Sequence, residues 1–111
     1  GVDDFRAAGV TVKLASDDGT LGARGFVTHL LAADGAGGPI VGCGPEPMLH
    51  ALAKVAAGWG VSCHVSLETP MACGVGACFS CVTKVTTADG WDYKRVCVDG
   101  PVFDAAALAW E

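Results

Sequence analysis

The sequence predicts an α/β chain: part of a doubly wound parallel sheet, followed by a small β-rich region. Three observations predict it. Short β-branched or apolar runs alternate with helical periodicity over residues 10–67, as parallel strands joined by crossover helices require. After Met71 the pattern becomes two alternating segments around an Asp-Gly turn, the mark of a β-hairpin. Between the two lies Cys73-Gly-Val-Gly-Ala-Cys78-Phe-Ser-Cys81, a glycine-containing loop too rich in thiols for an ordinary connection. The expected division is therefore 1–70 and 71–111.

Each element has its own signal. Val10-Thr-Val-Lys-Leu-Ala15 alternates with β-branched residues and runs into Ser16-Asp-Asp-Gly19, a strand and a turn. Phe26 to Ala33 reads as a short helix closed by Gly35 and the loose Gly37-Gly-Pro39. Ile40-Val-Gly-Cys43 is an apolar run with the look of a buried strand. Glu46 and Pro47 open a helix to about Ala57; proline is tolerated there because the first turn has no intrahelical use for its N–H. Met48, Leu49, Leu52, Val55 and Ala56 share one face of that helix. Val61 to Leu67 is a third strand. The hairpin is Val82–Thr87 and Trp91–Val96 around Ala88-Asp-Gly90, and the tail after Pro101 is extended with a short helical turn capped by Asp104.

Composition bounds the partners. A chain of 111 residues holds one modest core, or part of a domain with an appendage. The net charge is −5 and no basic run occurs, which argues against nucleic acid and anionic membranes as partners. No apolar stretch approaches the roughly twenty residues of a membrane-spanning helix. With free thiols and no signal peptide, the chain reads as soluble and cytoplasmic.

Three readings compete for the cysteines. A disulfide framework is disfavoured because an apolar fraction of 51% can build a core without bridges. A structural zinc in a small binding module usually shows two C-x2-C knuckles, whereas here four residues split the first pair and Cys97 stands alone. The order C-x4-C-x2-C…C is that of plant-type 2Fe-2S ligation, by Cys73, Cys78, Cys81 and Cys97. Gly74 and Gly76 permit the positive φ that a tight wrap needs, and they let peptide N–H groups approach sulfur. Ala72, Val75, Ala77 and Phe79 are expected to make the surroundings apolar, and Ser80 can donate to a sulfur. Fifteen residues, 82–96, separate Cys81 from Cys97, a shorter excursion than in a free-standing plant-type ferredoxin. The hairpin expected to carry the last ligand is short.

A second constellation, Cys43-Gly44-Pro45-Glu-Pro-Met48, sits where strand meets helix. Ligands of open α/β sheets bind at such carboxyl ends, although Gly-Pro can equally be a plain turn. Cys63 reads as a core thiol. His29, His50 and His64 share no spacing, and Trp59, Trp91 and Trp110 read as packing residues, with Trp91 near enough to the hairpin to meet a partner.

Taken together, Cys43-Gly-Pro-Glu-Pro-Met48, Ser16-Asp-Asp-Gly19 with Gly25-Phe-Val-Thr28, Glu68-Thr-Pro-Met-Ala-Cys-Gly-Val-Gly-Ala-Cys-Phe-Ser-Cys81 and Arg95-Val-Cys-Val-Asp-Gly-Pro-Val-Phe103 give the chain its likeness. It resembles the C-terminal half of the electron-transfer subunits of dihydroorotate dehydrogenase B, within the ferredoxin-NADP reductase superfamily. The resemblance implies that Cys73, Cys78, Cys81 and Cys97 bind a 2Fe-2S cluster. It implies that Cys43, Gly44 and Pro45 lie beside nicotinamide and flavin rings, with Cys43 orienting hydride transfer. NADP-using relatives carry a basic residue near Ser16; Asp17 and Asp18 stand here instead, so NAD is expected. It implies a hetero-oligomer with an FMN-containing dihydroorotate dehydrogenase catalytic subunit, in pyrimidine biosynthesis. The family's flavin-binding β-barrel and glycine-rich first strand are not in these residues, and there is no initiator methionine. The chain thus reads as a fragment expected to hold the cluster, but not to bind FAD or turn over alone. An analogous subunit of a sulfhydrogenase or of a ferredoxin-NADP oxidoreductase is the alternative.

Overall fold

A computed structural model describes residues 1–35 and 37–110 as a mixed α/β chain with small sheets, in two compact units, Gly1–Gly35 and Ala36–Glu111. Among the described residues no helix is long and apolar enough to cross a membrane.

The first unit contains α1 (Val2–Ala7), β1 (Ala15–Ser16), β2 (Ala23–Arg24) and α2 (Val27–Asp34). Helix α1 has no sequence periodicity and buries nothing; Asp3 and Asp4 in its first turn and Arg6 in its last favour the helix dipole. The strand expected over residues 10–15 is cut to two residues, paired parallel with β2 in a separate two-stranded sheet. An extended segment is a strand only where a neighbour supplies hydrogen bonds, and here the pairing with β2 begins only with the bond from Ala23 N–H to Leu14 O and the partners Ala15 and Ser16. Helix α2 lies one residue later than expected and stops at Gly35.

The second unit is built on β3 (Ile40–Cys43), α3 (Glu46–Trp59) and β4 (Cys63–Ser66). β3 and β4 are parallel, with Ile40 opposite Cys63 and Cys43 opposite Ser66, as a strand–helix–strand crossover requires. α3 lays Leu49, Leu52 and Ala56 on the face of the sheet that carries Ile40, Gly42, Cys63 and Val65. Gly42 makes that closeness possible: a Cβ there would lie 2.3 Å from Leu52 Cδ2. Cys63 is the core thiol that its position in an apolar run predicts.

β3 is not buried on both faces as its apolar run suggested. Val41 is 78% exposed because α3 covers only one side, so the opposite face lies open. The chain then forms a hairpin, β5 (Val82–Thr87) with β6 (Gly90–Arg95), followed by the one-turn helix α4 (Val96–Asp99). Next come β7 (Val102–Asp104) and a 3-10 turn, Ala105–Ala107, whose first N–H groups are capped by Asp104 accepting from Ala106 N–H at 2.9 Å. The tail's extended segment does more than expected. β7 pairs antiparallel with β4, giving a three-stranded sheet in the order β3-β4-β7. Leu108 bridges back to Val85 and ties the hairpin to the tail.

Candidate metal centre

The cysteine loop runs from the end of the β4 connection to the start of β5, and Cys97 returns to it. The expectation that the hairpin itself carries Cys97 is corrected: the residue lies in α4, just past the hairpin. A strand would alternate its side chains about Val96, whereas the turn of helix lets Val96 enter the core, fully buried, and leaves Cys97 facing the loop. Val96 N–H donates to Cys81 O at 2.8 Å, which joins the two ligand-bearing segments by their backbones.

The sulfurs group two by two. Cys78 N–H donates to Cys73 Sγ at 3.3 Å, Cys81 and Cys97 act on each other's thiols, and Cys97 also feels the charge of Cys73. Among the described residues no three His, Cys, Asp or Glu side chains converge on one metal position. Two adjacent thiol pairs suit two irons, each taking two thiolates, better than one tetrahedral zinc. Backbone donors complete the fit. Val75 and Cys78 N–H groups donate to Cys73 Sγ at 3.4 and 3.3 Å. Gly74 and Gly76 take φ of +69° and +81°, a region that side chains make costly, and this turns those N–H groups inward.

Electrostatics favour the thiolate at Cys78 and Cys81. The Ser80 hydroxyl and then its N–H, followed by Cys73, lower the Cys78 thiol to about 6. Cys81 is lowered by the Cys97 backbone N–H and then its thiol; Cys97 is raised by its bond to Cys81, so that pair keeps its shared proton on Cys97. Ser80, expected to donate to a sulfur, instead accepts from Cys78 Sγ at 3.5 Å and from Ala72 N–H at 3.0 Å, and its hydroxyl donates to Pro70 O at 3.4 Å.

The expected apolar screen is not there. Ala72, Val75, Ala77 and Phe79 all face solvent, Val75 at 77% and Phe79 at 72% exposure. A short loop that aims its sulfurs and N–H groups inward has to point the remaining side chains out. Sequence reading also missed Arg95 and Asp99. Arg95 Nη1 donates to Gly76 O at 2.8 Å, its guanidinium carbon is 5.4 Å from the Phe79 ring centre, and its backbone N–H donates to Asp99 Oδ2 at 2.7 Å. The only sequence signal was a basic residue two positions before the last cysteine.

Cys43, Gly44 and Pro45 lie at the carboxyl end of β3. Pro45 O accepts from Met48 and Leu49 N–H at 2.9 and 3.1 Å and starts α3. Cys43 is exposed, and the register sets it in one row with Ser66 and Val102 across the sheet. Val102 is not identifiable as part of this row from sequence, because it enters only once β7 has joined β4. In the first unit, Ser16 Oγ accepts from Leu21 N–H at 3.1 Å, while Asp18 Oδ1 accepts from Thr20 N–H at 2.9 Å and its hydroxyl at 2.7 Å. Those Thr20 bonds lower the Asp18 carboxyl. Asp17 is exposed. Of the lesser residues, His50 stacks on Trp110 at 5.2 Å, and Trp91 is 5.1 Å from Tyr93 with Lys84 over its ring.

Residues 68–109 match the iron-sulfur cluster binding domain of dihydroorotate dehydrogenase B. The electron transfer subunit of dihydroorotate dehydrogenase B (NAD(+)) from Caldanaerobacter subterraneus subsp. tengcongensis is 44% identical over 103 residues, 92% of this chain and 41% of that protein. Its counterpart in Geobacillus thermodenitrificans is 46% identical over 106 residues, 95% of this chain and 40% of that one. The chain thus spans about two fifths of the relatives it matches. Among solved structures, a chain of an NADH-dependent reduced ferredoxin-NADP oxidoreductase, studied for flavin-based electron bifurcation, superposes with a TM-score of 0.81. It is 28% identical, and the match covers 99% of this chain and 39% of that one.

Proposed function

The chain belongs with the electron-transfer subunits of dihydroorotate dehydrogenase B, and from that premise we propose that it carries the 2Fe-2S relay of such an enzyme in pyrimidine biosynthesis. The observation that carries the reading is the arrangement of Cys73 with Cys78 and Cys81 with Cys97 as two adjacent thiol pairs supplied with backbone donors. When bound, the cluster supplies one-electron transfer between FMN in a catalytic subunit, where dihydroorotate is oxidised to orotate, and FAD, which reduces NAD.

This chain's residues supply ligation and orientation. Cys73, Cys78, Cys81 and Cys97 would hold the irons as thiolates, and the N–H groups of Val75 and Cys78 would stabilise charge on the Cys73 sulfur. Residues 71–111 form the cluster-binding part. Residues 1–70 are the later part of a nicotinamide-binding domain, completed as a doubly wound sheet by residues outside this chain, which also hold most of the FAD. Cys43, Gly44 and Pro45 border the nicotinamide and flavin rings on the open face of the sheet, where nothing covers Cys43. Ser16, Asp17 and Asp18 receive the ribose of NAD; a carboxylate accepts from ribose hydroxyls and repels a 2′-phosphate.

Val75 and Phe79 stand out from the loop, so the partner subunit covers them and excludes water from the cluster. The holoenzyme is accordingly a cytoplasmic hetero-oligomer. A second reading, a subunit of an NADH-dependent ferredoxin-NADP oxidoreductase, is favoured by the structural likeness above. Anaerobic purification, metal analysis and EPR of the dithionite-reduced protein test the cluster: iron, sulfide and a reduced 2Fe-2S signal are expected. A colourless protein with one zinc and no sulfide refutes electron transfer in favour of a zinc-stabilised module. Co-purification with an FMN protein that oxidises dihydroorotate separates the first reading from the second.

A further inference from the structure

We infer that Arg95 is the positioning residue of the cysteine centre: it clasps Gly76, midway between Cys73 and Cys78, and it sets a fixed positive charge against the loop that carries three of the four ligands. The inference rests on the 2Fe-2S reading of that centre. Arg95 ends β6 and pairs with Val82, the residue after Cys81, so its backbone is anchored on the hairpin rather than on the loop. From there its Nη1 reaches across to Gly76 O at 2.8 Å. Gly76 in turn lies against Val98, the residue after Cys97. The loop is therefore held to the strand midway between its first two ligands.

Two further contacts fix the guanidinium and its strand. Its carbon stands 5.4 Å from the Phe79 ring centre, inside cation–π range, and that ring belongs to the stretch between Cys78 and Cys81. The Arg95 backbone N–H donates to Asp99 Oδ2 at 2.7 Å, across the turn of α4 that holds Cys97. Below Gly76 the Val98 side chain closes the remaining space: a Cβ on Gly76 would come within 2.5 Å of Val98 Cγ2. The loop, hairpin and α4 thus meet at this arginine.

Arginine suits the place in a way that lysine does not. Its planar fork can donate edge-on to a carbonyl while its face lies on a ring, whereas an ammonium is a point charge that satisfies one partner at a time. Asp99 takes the backbone N–H, and among the described residues no carboxylate forms an ion pair with the guanidinium. The positive charge lies against the loop between Cys73 and Cys81. A reduced cluster carries one more negative charge than an oxidised one, so a nearby fixed cation favours reduction.

The test compares wild type, Arg95→Gln and Arg95→Lys in the natural full-length protein with its partner subunit. The readouts are iron and sulfide content, the EPR-monitored midpoint potential, the rate of cluster loss in air and the melting of the cluster-free form. Arg95→Gln is expected to lower the midpoint potential and to lose its cluster about tenfold faster. Arg95→Lys is expected to stay nearer the wild-type potential, because the charge remains, yet to lose its cluster almost as fast as the glutamine variant. A purely structural role would not move the potential in this charge-dependent way. If the glutamine variant assembles no cluster while its cluster-free form melts like wild type, the positioning role stands. Should that variant fail to fold, the lysine variant decides, and a wild-type cluster lifetime there overturns the clasp. Unchanged potential and lifetime in Arg95→Gln overturn the inference while leaving the cluster reading intact. A wild-type protein without iron and sulfide overturns both.

Discussion

Leu49 and Val65, in the layer of α3 on its sheet, are 1% and 0% exposed, whereas Val75 and Phe79 in the cysteine loop are 77% and 72% exposed. The two regions lie in one compact unit and are held by different forces. The α3 layer is held by apolar burial, which has no direction but sums over many contacts. The loop is held by directed bonds: N–H to sulfur, Arg95 to Gly76 and Ser80 to the backbone on either side. A substitution in the layer therefore costs stability, while one in the loop costs ligand geometry.

The largest expected effect comes from removing a ligand. Cys81→Ser should abolish the reduced cluster's EPR signal while far-UV circular dichroism of the cluster-free form stays as in wild type. A wild-type signal in that variant would remove Cys81 from the ligand set. Leu49→Ala attacks the other region and should cost about 2–5 kcal/mol in denaturant unfolding, because the vacated space faces β3 and β4, which cannot collapse into it. Its cluster absorption should persist as long as the chain stays folded. Gly76→Ala falls between the two, with strain of about 1–2 kcal/mol at φ +81° and a collision with Val98. Cluster lifetime should shorten there more than the unfolding midpoint moves, and the reverse order would contradict the contrast drawn above.

The smallest effect is one of reactivity. In the cluster-free protein, iodoacetamide followed by peptide mass spectrometry should label Cys78 while the solution is still near neutral, since its thiol is lowered to about 6 by Ser80 and Cys73. The sign follows from the thiolate being the nucleophile: labelling of Cys78 fades as the pH falls through that value. Cys63 should label last and only in alkaline solution, because burial and then the charge of Asp104 push its thiol up. Similar pH profiles for the two would mean that the loop does not organise its sulfurs before metal arrives.

Legibility in the sequence followed the same contrast. β3 was found at its observed ends, and α3 and the hairpin within two residues, because apolar spacing, Pro47 and the Asp-Gly turn are local signals. The ligand set could be read as residue types at a spacing. The open face of β3 could not, since exposure of Val41 depends on what else packs there. Nor could the loss of strand at residues 10–14, where the alternating pattern is present and only the partner is lacking. The placement of Cys97 in a helical turn escaped for a related reason: four residues carry too little periodicity to separate a strand end from one turn of helix.

By itself the sequence determined which residues can be thiolate ligands, where the backbone must turn, and which helix face is apolar, because these depend on side-chain chemistry and on neighbours a few positions away. Tertiary structure alone decided that the sulfurs meet as two pairs, that β7 joins β4 to build the row of Cys43, Ser66 and Val102, and that Arg95 reaches Gly76. Each of those is a contact between segments far apart along the chain. Its existence depends on how strands pair and turns close in space, which no local pattern encodes.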